Sequence, residues 1–162
     1  MEDTITYSEF SDMMLAAVRR RVKQTFICHF DGACSPNPGG HMGSGAHIVA
    51  DEGQTAFTLS EYTPPAAGNT NNAAEYLAFL SLMHYLHDCD SCTIKIYGDA
   101  KLVIRQMCGH WDILNGGYKQ HALQAKTLYD QLRRHNRVTL RWIPREQNQA
   151  ADELSKQAIL KG

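Results

Sequence analysis

Two hydrophobic periods alternate along this chain, and the switches between them mark out its elements. Residues 25–33 (TFICHFDGA) are rich in aromatic and β-branched side chains and predict a strand. Cys34 to Gly45 holds two prolines and four glycines and reads as loop or turn. Two short strands are predicted near 45–51 and 54–61, joined by a turn at Asp51-Glu52-Gly53, which implies an antiparallel meander. Pro64-Pro65 then breaks the chain.

The second half switches between helix and strand. From Asn72 to about His87 the apolar residues Ala73, Ala74, Leu77, Ala78, Leu80, Leu82, Met83 and Leu86 cover most of a helix, which predicts that it is largely buried. A strand follows at 92–98 (CTIKIYG), then a short helix at 100–108. Leu123, Leu128 and Leu132 mark a helix over 118–134, and 138–143 (VTLRWI) a fifth strand. Asn148 is placed to cap a last helix running to about Leu160. The order is three strands, helix, strand, helices, strand, helix. It predicts an α/β fold with a five-stranded mixed sheet, a meander at one end and βα units at the other.

Residues 1–24 read as a helical arm preceding a single domain over 25–162. Thr6 and Glu9 have the spacing of a capping box, and Phe10, Met13, Met14, Ala17 and Val18 recur at helical intervals. The arm ends in Arg19-Arg20-Arg21-Val22-Lys23, where cations suit a helix C-terminus. These cations either form a solvated end to a packing arm or reach substrate phosphates.

With 162 residues, 43% of them hydrophobic and 20% charged, the chain has the composition of one globular domain. No apolar run approaches the roughly 20 residues of a membrane span, so no membrane association is expected. The chain opens Met1-Glu2-Asp3 with no basic-then-apolar leader, and its five cysteines are an odd number. Reduced thiols, a cytoplasmic location and a monomer are the expectations. Cys89-Asp90-Ser91-Cys92 has CxxC spacing but no matching second motif, so it reads as two thiols at a helix–strand turn. The net charge of −1 gives no overall basic footprint for a polyanion. Any such binding must come from local Lys and Arg residues, or from bound metal.

Four acids change that picture. Asp31 (FDGACSPNPGG) and Asp99 (IKIYGDAKLVI) lie where predicted strands end, and open α/β sheets bind ligands beyond those ends. Glu75 (NTNNAAEYLAFL) shares a helical face with Ala78, Phe79, Leu82 and Leu86, so it heads an apolar stripe and is drawn inward. Asp152 (REQNQAADELSKQ) falls in the first turn of the last helix. Each has an ordinary alternative. Asp31-Gly32 alone reads as a tight turn, and Glu75 and Asp152 could simply face a helix dipole. Together, four like charges in one pocket would be strongly unfavourable without cations, and hard divalent ions suit oxygen ligands. Asn37-Pro38-Gly39 and Thr70-Asn71-Asn72 flank the first two acids and could hold phosphate or a ribose 2′-OH, although the second group could merely cap its helix.

In this setting the chain resembles the type 1 ribonuclease H family. The matching pieces are FDGACSPNPGG, TNNAAE, YGDAKLVIRQMCGHW and REQNQAADELS, in the family's order, over about residues 25 to 160. The resemblance implies a ribonuclease H fold and hydrolysis of the RNA strand of RNA–DNA hybrids. It implies Asp31, Glu75, Asp99 and Asp152 as catalytic metal ligands for two Mg²⁺ ions, with Mn²⁺ as an alternative. Such ions, about 3.5–4 Å apart across the scissile phosphate, would leave 5′-phosphate and 3′-hydroxyl ends. Cys34, Asn37, Asn71 and Asn72 would contact the hybrid backbone, Thr70 would sit in a DNA-phosphate pocket, and Arg145 would contact substrate.

Three departures from the family pattern stand out. The loop Trp142 to Asn148 lacks the histidine many members carry before the last helix, leaving Arg145 or Glu146 as substitutes. Ala100-Lys101 stands where Ser-Gln is common, and the Cys108–Lys119 segment is too short for a basic protrusion. The rivals are a resolvase- or transposase-like nuclease on the same fold and a non-catalytic hybrid-binding module. The first lacks the Asn-rich loops, and the second gains nothing from crowded negative charge. For the arm, deleting residues 1–22 is expected to weaken hybrid affinity at physiological salt; a filter-binding titration that shows unchanged affinity would reduce it to packing.

Overall fold

In the computed structural model, residues 6–9, 23–53 and 55–162 are described. The elements run β1 (Thr25–Ser35), β2 (His41–Ala50), β3 (Thr55–Thr63), α1 (Asn71–Leu86), β4 (Thr93–Gly98), α2 (Lys101–Met107), α3 (Lys119–His135), β5 (Arg137–Trp142) and α4 (Gln149–Lys161). Single 3-10 turns precede β3 and α4, at Asp51–Gly53 and Arg145–Gln147. The strands form one mixed sheet in the order β3-β2-β1-β4-β5. β1, β2 and β3 make the antiparallel meander, while β4 and β5 add parallel strands.

The elements match those predicted from periodicity to within a few residues, except around the first loop. Cys34 to Gly45 is not all loop: β1 continues to Ser35 and β2 already begins at His41. Gly39 does sit in a turn, with φ +89°, but Gly43 and Gly45 serve packing instead. A Cβ on Gly43 would lie 1.9 Å from the Ser155 carbonyl oxygen of α4. The helix therefore rests directly on the strand backbone, and glycine is what permits it.

The sheet's two faces are covered differently. Phe26, Cys28 and Phe30 of β1, Ile48 of β2 and Ile94 and Ile96 of β4 point to one side. There they meet Phe79, Leu82, Met83 and Leu86 of α1, with Tyr129 and Leu132 of α3. Fully burying such a side chain contributes about 1.5–3 kcal/mol. Because α1 lies between the sheet and α3, it is buried nearly all round, as its sequence predicted. α4 lies on the opposite face, against β2, β1 and β3.

At the N-terminus, Thr6 N–H donates to Glu9 Oε2 at 2.8 Å and Glu9 N–H donates to Thr6 Oγ1 at 3.2 Å, the reciprocal bonds of a capping box. The helical pattern and basic cluster predicted for residues 10–22 lie outside the described residues. All five cysteines are thiols rather than disulfides. No helix among the described residues is long and apolar enough to cross a membrane.

The contact between α4 and β2 can be tested. Gly43→Ala should destabilise the fold by about 2–3 kcal/mol, the usual scale of overpacking. Urea denaturation would measure it, and a loss below 0.5 kcal/mol, about the level of a neutral surface change, would mean that the helix does not rest on that backbone.

Candidate active site

The sheet opens where β1 and β4 part. Their parallel pairing ends at Phe30↔Gly98, whereas β1 stays paired with β2 as far as Ser35↔His41. Asp31 is thus inside a strand, paired with Gly45, and not in the tight turn that Asp-Gly suggests. Asp99 follows β4 directly. The two aspartates flank the crevice where an open α/β sheet binds ligands.

Gly32 explains how Glu75 joins them. A Cβ there would lie 2.2 Å from the Ala74 carbonyl carbon and 2.3 Å from Glu75 N. Without a side chain, β1 can lie against the backbone of α1. The Gly32 N–H then donates to both Asp31 Oδ1 (3.0 Å) and Glu75 Oε2 (3.1 Å). Oxygens of Asp31, Glu75 and Asp99 all lie within 4.8 Å of one another. Asp152, from the first turn of α4, lines the same cleft of about 230 Å³, with Asn71, Arg145 and Lys156.

The electrostatics follow from this crowding. Asp31 is 5% exposed. Burial raises its carboxyl to about 7; a hydrogen bond from Glu75 opposes the rise, and the charges of Asp99 and Asp152 add to it. Glu75 is held well above the ordinary value, by burial first and then by the Asp31 charge. Asp152 behaves oppositely. Burial pushes it up, but hydrogen bonds from Lys156 and Asp31, with the charges of Lys156 and Arg145, outweigh that and hold it down. Lys156 Nζ lies 2.8 Å from Asp152 Oδ2, and Arg145 Nη2 lies 3.5 Å from Asp152 Oδ1. Carboxyl groups that converge in one cleft, two of them raised by burial and by their neighbours' charge, suit hard divalent cations.

Of the residues expected to touch substrate, Asn71 and Arg145 line this cleft, and hydrogen bonds tie others to Asn71. Asn37 Oδ1 accepts from Asn71 N–H (3.1 Å), and Asn71 Oδ1 accepts from Cys34 N–H (2.9 Å). These bonds tie the β1–β2 loop to the start of α1. They leave both Nδ2 groups without a bond among the described residues. Asn72 is exposed beside them. Thr70 is the N-cap of α1, its Oγ1 accepting from Ala73 N–H at 3.1 Å. Cys34 is buried and its thiol donates to the Pro36 carbonyl, so the thiol faces inward.

Three residues of the site escaped the sequence reading. Lys156 is one turn beyond Asp152, a spacing that sequence could have offered. Lys101 Nζ lies 4.9 Å from the centre of the Trp142 ring, whose Nε1–H donates to the Asp99 carbonyl. Asn148 occupies the N-cap position of α4 but makes no side-chain cap, contrary to prediction. Its Nδ2 donates instead to the Phe30 carbonyl (2.9 Å) and to Asp99 Oδ1 (3.0 Å).

Residues 29–158 match the family model described as reverse transcriptase-like. A ribonuclease H of Jannaschia sp. is 31% identical over 145 residues, covering 80% of this chain and 88% of that protein. This chain belongs to the type 1 ribonuclease H family. A bifunctional protein of Mycobacterium tuberculosis is also 31% identical over 133 residues, but the match spans 82% of this chain and only 35% of that protein. Among solved structures, LC11-RNase H1 in complex with an RNA/DNA hybrid superposes with a TM-score of 0.68 at 27% identity, covering 84% of this chain and 97% of that one. The sheet order and helix placement are those of the ribonuclease H fold.

The shifted carboxyls give a signed prediction for the metal-free protein. Asp31 titrates at about 7 when folded against an ordinary 3.8, so between these values the folded state holds a proton that the unfolded state has lost. Stability is therefore greatest below the lower value and falls as pH rises through the upper one, by on the order of 4 kcal/mol. In EDTA, Asp31→Asn should melt higher than wild type at pH 8 and show a smaller drop between pH 5 and pH 8. Parallel melting profiles for the two proteins would contradict this.

Proposed function

We propose that this chain is an endoribonuclease that hydrolyses the RNA strand of RNA–DNA hybrids. The observation that carries the reading is the convergence of Asp31, Glu75 and Asp99 within 4.8 Å, with Asp152 lining the same cleft. Membership of the ribonuclease H family supports it, as does the hybrid seen bound to a structural relative.

Asp31, between the other carboxylates, Glu75, Asp99 and Asp152 would hold two divalent cations, Mg²⁺ or Mn²⁺. When bound, such ions lower the pKa of the attacking water and stabilise the leaving oxygen. The chain's own residues do the rest. Burial raises Asp31 and Glu75, and a held cation would favour their ionised forms. Arg145 and Lys156 line the cleft on side chains more than half exposed, from which they can turn from Asp152 toward a phosphate. The unused amide donors of Asn37 and Asn71, with exposed Asn72, face a strand carrying 2′-hydroxyls and select RNA over DNA. Thr70, at the N-terminus of α1, meets a phosphate of the DNA strand. Attack opposite the 3′ oxygen leaves a 5′-phosphate and a 3′-hydroxyl.

An end-labelled hybrid, incubated with the protein and either Mg²⁺ or Mn²⁺ beside duplex DNA and duplex RNA, tests the reading. Fragments of the RNA strand alone are expected. Asp31→Asn and Asp99→Asn should each lose more than the roughly 10–100-fold that an outer hydrogen-bond partner costs. Cutting of the DNA strand, or an intact hybrid under both ions, would overturn the proposal.

A further inference from the structure

We propose that Asn148 is a positioning residue, whose amide locks the Asp99 carboxylate onto the end of β1 and sets the geometry in which Asp99 meets a divalent cation. The inference rests on the reading of the carboxylate cleft given above, and it concerns a residue with no charge of its own. Asn148 is 1% exposed. Its Nδ2 donates at once to the Phe30 carbonyl, one residue before Asp31, and to Asp99 Oδ1. Its backbone carbonyl accepts the first helical bond of α4 from Asp152 N–H at 3.1 Å. One residue thus links the strand bearing Asp31, the loop bearing Asp99 and the helix bearing Asp152.

The amide's orientation is fixed by chemistry. Both partners are acceptors only, so the atom facing them must be the NH₂ group. The Oδ1 left behind is buried with no hydrogen-bond partner among the described residues. A residue that served only to start α4 would do better with its side chain on the helix N–H groups, where an N-cap oxygen is satisfied. Asn148 instead leaves an acceptor unsatisfied, which is unfavourable, and keeps its donor on Asp99. A neutral donor also suits the task. It occupies one lone pair of the Asp99 carboxylate without the positive charge that would compete with a cation. Lys156 and Arg145 bring that competing charge to Asp152, and neither is paired with Asp99.

Mn²⁺ alone is the probe, titrated into the full chain and followed by loss of the free-ion electron paramagnetic resonance signal. Asn148→Ala and the near-isosteric Asn148→Leu should each weaken Mn²⁺ affinity by about tenfold or more, and lower kcat on the hybrid with KM within twofold of wild type. In an Asp99→Asn background, Asn148→Leu should weaken Mn²⁺ no further, because the carboxylate that it positions is gone. Wild-type Mn²⁺ affinity in either folded variant, or a full additional loss in the Asp99→Asn background, would overturn the proposal. Because the ion titration needs no substrate, its result stands apart from whether the hybrid is cut.

Discussion

Where β1 lies against α1 at Gly32, backbone meets backbone closely enough that a single N–H serves two carboxylates. That contact sets the separation of Asp31 and Glu75, and the rest of the site is arranged around it. Two acids so close, one buried and one partly buried, resist ionising together without a cation. The fold holds them together through packing on the α1 face of the sheet, where Phe30, Phe79 and Tyr129 meet in edge-on contacts. Burial and mutual charge raise both carboxyls, which lessens the repulsion in the ion-free protein. The site is strained electrostatically while the core beneath it is apolar and close-packed, and the second condition makes the first tolerable.

Around this contact the other acids are supported by two different means. Asp152 faces a lysine and an arginine on side chains more than half exposed, pairs that water screens and that are worth little individually. Asp99 instead faces a buried, neutral amide. The arrangement separates a rigid side of the cleft, built on strands, from an adjustable side at the start of α4. Phosphate chemistry has a use for both. Ligands for metal must be held in place, whereas cations that meet a polyanion must be able to turn toward it.

The first loop shows where local signals mislead. Gly43 lay in the predicted loop and Gly32 in a dipeptide that alone suggests a turn, yet both sit in strands whose backbones are pressed by a helix. Nothing within a few residues distinguishes a glycine needed for a turn from one needed for close approach, because the neighbour that forbids a Cβ is more than 40 residues away in Glu75 and more than 100 away in Ser155. Asn148 misled for the same reason: its position before a helix is that of a cap, and only Phe30 and Asp99, brought up from other elements, draw its side chain elsewhere.

Period and composition were enough to place five strands and four helices in order, to foresee that α1 would be buried on nearly every side, and to single out four acids with their asparagine flanks. These features are local: a strand's alternation or a helix's stripe is written in consecutive residues. Tertiary structure alone decided that β1 would part from β4 beside Asp31, that Gly32 would bring Glu75 against it, and that an asparagine would hold Asp99. Each depends on distances between segments remote in the chain, and those distances are set by how the sheet and helices pack together.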